Sequence, residues 1–411
     1  MPGLPVLVLN SGSSSIKFSM YESGESARRK LMEGAVDGIG SGEKEGKFWI
    51  KDPNDRKIVD QSSHVPDLAS AFKLVEDALL SAEKHSGGEQ TWPHPAAIGH
   101  RVVCGGPTIT ENQRVSPELI EELERYVHFA PLHNPVALFI IRETLKLFPE
   151  VPNFICLDSY FHRNLPEVTR RLPVPAKYTE MGVQRFGAHG ISYESIIEQL
   201  KPSVPSRLIV AHLGNGASIA AIRDGQSIDT SMGLTPTGGI ISGTRTGDID
   251  PGVLLFILRE LLKASDDGKH AADELEDAVS KQAGLLGVSK TTNDMRDLRK
   301  AIVAGNADAR LAVDQFTYTI RKFIGAYIAV LGGLDMLVFT GGIGVNDSDS
   351  RAEICSGLEC FGIVLDAQRN SARGDVTISP DDSSVTVRVI PPEEDLIMVN
   401  HVYRLMAESS H

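Results

Sequence analysis

Three short polar segments carry the residue types that hold phosphate. Asn10-Ser11-Gly12-Ser13-Ser14-Ser15 follows the apolar run Val6-Leu7-Val8-Leu9. Gly214-Asn215-Gly216-Ala217-Ser218 follows Leu208-Ile209-Val210-Ala211-His212-Leu213, and Thr340-Gly341-Gly342-Ile343-Gly344 follows Met336-Leu337-Val338-Phe339. Turns of this kind present backbone N–H groups and short polar side chains to an anion. Taken singly, each is more often only a turn. Several familiar nucleotide signatures fail. Gly12 to Lys17 lacks the second glycine and the spacing of a P-loop, and neither Gly214-x-Gly216 nor Gly342-x-Gly344 completes G-x-G-x-x-G.

Charged residues near such turns suggest what is done with the phosphate. Arginine is always charged and grips two oxygens together, which suits two anions that must approach each other. Arg101 and Arg245 are the first candidates. Arg245 lies in Gly243-Thr244-Arg245-Thr246-Gly247, which reads as a flexible polar turn. For an arbitrary arginine a surface ion pair is the ordinary reading. Asp158 ends the apolar run Phe154-Ile155-Cys156-Leu157, where a carboxylate also serves as a helix cap. Glu394, in Pro391-Pro392-Glu393-Glu394-Asp395, reads on its own as part of a solvated acidic turn.

The elements that must position these residues follow from periodicity. Val6–Leu9, the polar turn, and the alternation of Ile16, Phe18 and Met20 read as strand, turn, strand. The same order returns at 208–228, through an Asp224-Gly225 turn. Two copies about 200 residues apart imply two homologous halves. Residues 308–332 read as an amphipathic helix, 336–339 as a buried strand, and 340–344 as a glycine loop before a helix capped near Asp349 or Ser350. Residues 36–62 read as a polar surface hairpin excursion, and 263–280 as a solvated helix face. Strands mixed with helices throughout give an α/β fold.

Composition narrows the class. The chain has 411 residues, enough for two domains. A net charge of −13 excludes the basic footprint of a sequence-independent nucleic-acid binder. Four cysteines form no zinc spacing and no disulfide framework. There is no signal-like N-terminus and no apolar stretch of about 18 residues, so no membrane partner is expected and the cytoplasm is the expected location.

Further segments bring the reading to a family. His100-Arg101-Val102-Val103, Pro131-Leu132-His133-Asn134-Pro135, Arg185-Phe186-Gly187-Ala188-His189-Gly190, Asp229-Thr230-Ser231-Met232-Gly233, Gly243 to Pro251 and Asp294-Met295-Arg296-Asp297 stand in order along the chain. Together with the three polar turns they resemble the acetate kinases from residue 6 to about 405. The resemblance implies two duplicated actin-like (ribonuclease H-like) domains with an interdomain cleft, and a homodimer. The expected domains are 1–158 and 159–395, with a helix over about 396–411 packing back on the first. It implies reversible phosphoryl transfer between ATP and acetate, giving acetyl phosphate and ADP with Mg²⁺, or Mn²⁺ in its place. Another short carboxylate such as propionate is the neighbouring alternative, and an actin- or chaperone-like ATPase is the alternative of another class.

The resemblance also assigns roles. Arg101, Arg245, His189 and Asp158 are the expected catalytic residues, with His189 and Arg245 stabilising the phosphoryl group in flight. Asn10 and Glu394 are expected at the metal, in a register uncertain between Glu393 and Glu394. Lys17, His212, Leu213, Gly214, Asn215 and Gly216 would meet the phosphates, with Ser13 and Ser15 as companions. Asp294, Met295, Arg296, Gly342, Ile343, Gly344 and Asn346 would meet the nucleoside. Val103, Leu132, Pro236 and Ala188 would line the acceptor pocket. Ala188 stands where the family usually has phenylalanine, which leaves space for extra methylenes unless Tyr160 refills it.

Overall fold

Alternating apolar residues in the first 63 positions build one edge-to-centre run of a sheet. The computed structural model describes residues 3–12, 14–24, 28–40, 45–80, 92–264 and 267–408; Ser13 lies outside them. Strands β1 (Leu4–Ser11), β2 (Ser15–Ser23), β3 (Arg28–Asp37), β4 (Gly46–Lys51), β5 (Lys57–Ser63), β6 (Ala97–Val102), β7 (Gln113–Arg114) and β8 (Asn153–Leu157) form one sheet. Its order is β5-β4-β3-β2-β1-β6-β8-β7. The hairpin expected at 36–62 is present as the antiparallel pair β4–β5, but as part of the sheet rather than a surface excursion. Phe48, Ile50 and Val59 are buried, so the segment supplies β4 and β5. The alternation was hidden because Trp49 and Ile58 interrupt it and the surrounding Gly, Lys and Asp residues read as surface.

Leu7, Leu9, Ile16, Phe18 and Met20 face a core closed by helices α1 (Leu68–Leu80) and α2 (Asn134–Leu147). The last helix, Glu394–Glu408, covers the opposite face of β1, β6 and β8. Gly99 makes that approach possible: a Cβ there would lie 2.8 Å from Val402 Cγ2 and 3.3 Å from Val8 Cγ1. By contacts the chain divides into one unit of Met1–Tyr160 with Glu393–His411 and a second of Phe161–Pro392.

The second unit has β9 (Arg207–Leu213), β10 (Ala217–Arg223), β11 (Gln226–Thr230), β12 (Met336–Thr340), β13 (Val376–Thr377) and β14 (Thr386–Val389), ordered β11-β10-β9-β12-β14-β13. Each sheet has the same centre. The hairpin β1–β2 corresponds to β9–β10, the parallel pairs β1–β6 and β6–β8 to β9–β12 and β12–β14, and the antiparallel edge β7 to β13. The expected duplication is thus present as two sheets of one topology.

Both faces of the second sheet are buried. Helix α3 (Gly190–Leu200) packs Tyr193 and Ile196 against Leu208, Val210 and Val338. Past the α4 (Pro251–Ala264) and α5 (Met295–Val303) helices, the long α6 (Ala307–Leu331) packs Phe316, Ile320 and Ile324 against Ile209, Ala211 and Phe339. Helix α4 is different, for none of its residues is buried within the chain.

The expected glycine loop at 340–344 is also corrected. Gly341 begins a short helix, α7 (Gly341–Asn346), directly off β12. Its φ of 77° is open to glycine, and a Cβ would lie 2.7 Å from the Leu213 carbonyl oxygen. The next helix, α8 (Ser348–Cys355), is capped by Asp347 rather than by Asp349 or Ser350. Within α8 the buried Arg351 donates to the carbonyls of Gly344 and Val345 at 2.8 and 2.9 Å and to Asn370 Oδ1 at 2.8 Å. This guanidinium thereby satisfies the C-terminal carbonyls that a short helix leaves open.

Candidate active site

In the first unit the functional residues gather where the central strands end. Register places Asn10 on β1 opposite Lys17 on β2. Arg101 leaves β6, and Asp158 follows β8 directly. Arg101 Nε donates to Asp158 Oδ2 at 3.0 Å, and its Nη1 donates to Asn10 Oδ1 at 3.0 Å. Asn10 Nδ2 donates to Glu394 Oε2 at 3.1 Å. Glu394–Asn10–Arg101–Asp158 is thus one continuous polar chain. Burial works against the Arg101 charge, but the Asp158 and Glu394 carboxylates more than offset it and hold the guanidinium firmly protonated.

Neighbouring groups hold this chain in place. Ser19 Oγ donates to Asp395 Oδ2 at 2.7 Å, tying the first turn of the last helix to β2. Removal from water, reinforced by Glu394, lifts the Asp395 carboxyl above the ordinary range, against the Ser19 hydrogen bond and the Lys17 charge. Lys17 itself is exposed, as expected from its alternation against Ile16 and Phe18. Ser15 closes the β1–β2 turn, its carbonyl accepting from Gly12 N at 2.9 Å. Val103 is buried and Leu132 half-buried in this unit. His100 packs beneath Arg101, with Nε2 on Asn153 Oδ1 at 2.7 Å, and burial pushes its pKa down to about 4.

In the second unit the β9–β10 register sets His212 opposite Ser218, the pair equivalent to Asn10 and Lys17. His189 is the N-cap of α3, with φ 56° in the left-handed region. Its ring stacks on that of His212 with centroids 4.2 Å apart. Its Nδ1 bonds Ser218 Oγ, and His212 Nδ1 bonds Ser192 Oγ, each at 2.8 Å. His162 supports the loop from below, bonding the Ala188 carbonyl at 3.1 Å. Burial keeps its pKa down at about 4, so it is neutral there.

Arg245 corrects one expectation. It is buried, at 9% exposure, and Nη1 donates to the Pro236 carbonyl at 3.2 Å. Its turn is pinned from several sides: Gly243 N donates to Asn215 O at 2.8 Å and Leu286 N to Gly243 O at 2.9 Å. A turn so bonded is rigid, which the glycines and threonines of its sequence did not reveal. A Cβ built on Gly216 would stand 3.3 Å from His189 Nε2 and 3.5 Å from Arg245 Nη1. Two nitrogens therefore converge over the glycine of the β9–β10 turn. A Cβ on Gly214 would lie 4.0 Å from Gly342 N, so the turn and the start of α7 adjoin.

The remaining expected residues divide by what their side chains touch. Leu213 and Met295 are core residues, so only their backbone is available to a ligand. Asp294 caps α5 and pairs with the exposed Arg296, Nε to Oδ1 at 3.0 Å. Asn346 Nδ2 donates back to the Gly342 carbonyl at 2.9 Å, and Gly342 faces open space. Sequence reasoning missed Ser218, Ser192, Tyr193, Asn293 and Ser19. Asn293 holds Asn215 Oδ1 at 2.8 Å. In sequence Ser218 is only the end of the Gly214–Ser218 turn; its place opposite His212 comes from the strand register, and Ser19 is marked only by its contact with Asp395.

Two sheets that share one central topology, with glycine-bearing polar turns after β1 and β9, belong to the actin-like class of α/β proteins. The family can be named more closely: a model described as the acetokinase family matches residues 5–400, and the chain belongs to that family. It is 38% identical over 98% of its length to the whole of an acetate kinase from Clostridium botulinum. Among solved structures it resembles an acetate kinase from Porphyromonas gingivalis, at 35% identity and TM-score 0.81, covering 98% of this chain and 99% of that one. A propionate kinase from Francisella tularensis gives 34% identity and TM-score 0.84 at the same coverage.

Proposed function

We propose that this chain is an acetate kinase, transferring the γ-phosphoryl group of ATP to acetate by direct in-line displacement. The observation that carries the reading is the pairing of Arg101 with Asp158 and Asn10, alongside the convergence of Arg245 and His189 over Gly216. A carboxylate acceptor is ionised at neutral pH and needs no general base; it needs its charge and the phosphoryl charge held together. Arg101 grips the acceptor carboxylate. Arg245 and His189 donate to the equatorial phosphoryl oxygens as charge spreads over them. Asp158 orients Arg101 through its hydrogen bonds. Backbone amides of 213–216 and Lys17 hold the phosphates, and residues 294–296 with 342–346 hold the nucleoside. Water as acceptor would need no such clamp, which disfavours an ATPase reading.

The donor set of the first unit suits a magnesium ion carried on ATP. Among the described residues no three His, Cys, Asp or Glu side chains converge to form a dedicated metal cage. Glu394 and the Asn10 amide offer the one or two oxygen ligands that such an ion takes from protein. When bound, Mg²⁺ would neutralise phosphate charge.

The acceptor wall bears on which acid is used. Tyr160 packs its ring within the first unit, edge-on to His401 at 5.3 Å and beside the cluster of Leu138 and Leu157. Ala188 in place of the phenylalanine usual in the family leaves space for a methylene, and we take that volume as open. A buried methylene is worth about 0.8 kcal/mol, so propionate should be accepted beside acetate. The test incubates protein, ATP and Mg²⁺ with C2 to C4 acids and hydroxylamine. Acetyl and propionyl hydroxamates are expected, with Ala188→Phe disfavouring propionate by about tenfold. Folded protein that forms no hydroxamate from any of these acids would sink the assignment.

We also propose a homodimer formed through α4. Its apolar residues Val253, Leu255, Phe256 and Leu262 are 44%, 51%, 64% and 42% exposed within the chain. A groove of about 510 Å³ in the same unit, lined by Ile241, Val288, Tyr318 and Phe323, adds apolar surface.

A further inference from the structure

Ser218 is fully buried on β10, and its hydroxyl meets two groups: His189 Nδ1 at 2.8 Å and the Tyr193 hydroxyl at 2.5 Å. Tyr193 is fully buried too, on the first turn of α3 beside His189. A serine hydroxyl has one proton to give. Two complete arrangements follow. Either Tyr193 donates to Ser218 and Ser218 donates to Nδ1, or His189 donates from Nδ1 to Ser218 and Ser218 donates to Tyr193. A phenol is more acidic than an alkyl hydroxyl, hence the better donor and the poorer acceptor. The first arrangement therefore prevails. Nδ1 is then an acceptor, and the single proton of a neutral imidazole resides on Nε2. Nε2 is the atom that shares the space over Gly216 with Arg245 Nη1.

We propose that Tyr193 and Ser218 are positioning residues that hold neutral His189 as its Nε2–H tautomer. The ring then offers a hydrogen-bond donor to phosphoryl oxygens without having to be protonated. The opposite tautomer would present a lone pair to an anion. The same contact holds the ring of a residue whose backbone sits at φ 56°, a conformation that non-glycine residues keep only when their surroundings fix it. This inference deepens the reading of His189 as a phosphoryl contact and rests on it.

The test uses the full-length protein with ¹⁵N-labelled histidine, the His189 ring assigned by the signals lost in His189→Gln. Long-range ¹⁵N–¹H correlations distinguish the tautomers. The wild type should show a protonated Nε2 and an unprotonated Nδ1. Tyr193→Phe and Ser218→Ala, with unchanged far-UV circular dichroism, should shift the signals toward a tautomer mixture. Both should lower kcat, Ser218→Ala by about tenfold, with the KM for ATP changed less than about twofold. A wild-type ring protonated at Nδ1 would overturn the proposal. So would a folded Tyr193→Phe and Ser218→Ala pair with the wild-type tautomer pattern. An Nε2–H ring in a protein whose kcat is untouched by His189→Gln would uphold the relay and overturn the phosphoryl role instead.

Discussion

Arg101 and Arg245 do similar chemistry from unlike surroundings. Arg101 is held by a carboxylate and an amide, and Arg245 by a carbonyl in a pinned turn. Arg101→Ala or Arg245→Ala should lower kcat by about 10²-fold or more, as loss of one preorganised charge donor does, with the KM for ATP moving much less. Steady-state kinetics checks this, and a variant with near-normal turnover removes its arginine from the mechanism. Arg101→Ala also removes the guanidinium paired with the buried Asp158 carboxylate, so its melting temperature should fall more than that of Arg245→Ala. Both arginines were legible in sequence because family motifs surround them. The hydrogen bonds that aim them were not, since Asn10, Arg101, Asp158 and Glu394 meet only after four separate elements are placed.

At the level of elements, the positions of β1, β2, β9, β10, β12 and α6 follow from apolar periodicity alone. The failures have physical causes. β4 and β5 are short and set among Gly, Lys and Asp residues, so their apolar positions did not stand out. Helix α7 begins at a glycine with positive φ, so its sequence looks like a loop. Gly99 was silent for another reason, as its role is to leave room. Gly99→Ala would press a methyl group on Val402 and Val8 and push the last helix outward. A destabilisation of about 1–3 kcal/mol is expected, the usual cost of overpacking. Because that helix begins at Glu394, the apparent affinity for Mg²⁺ should weaken as well. Chemical denaturation and a Mg²⁺ titration of activity check the two effects together.

Across the whole molecule, the buried His100 of the first unit and the buried His162 of the second are both held neutral, with pKa values near 4 against an ordinary 6.5. Between those values the unfolded chain binds more protons than the folded one. Stability is therefore complete above about pH 6.5 and falls as pH drops toward 4, by up to about 3 kcal/mol for each histidine. Denaturant unfolding at a series of pH values should show this slope, and His162→Gln should remove part of it. A slope unchanged in that variant would assign the acid sensitivity to other groups. The dimer is checked by light scattering: Phe256→Glu should turn a species of twice the chain mass into a monomer, and a wild type that is already monomeric rejects it.

The order in which the chain is made gives the division into units a further meaning. The second unit is continuous, Phe161–Pro392, whereas the first needs residues from 393 onward. During synthesis the second unit can complete its sheet first, while β1, β6 and β8 await the helix that covers them. Until Val402 settles over Gly99, an apolar sheet face is uncovered on the growing chain. The segment from residue 393 onward, made after both sheets, also brings Glu394 to Asn10. The first unit is then closed in the same event that completes its polar chain, so a ribosome-stalled chain ending near residue 392 should hold a protease-resistant second unit and a cleavable first.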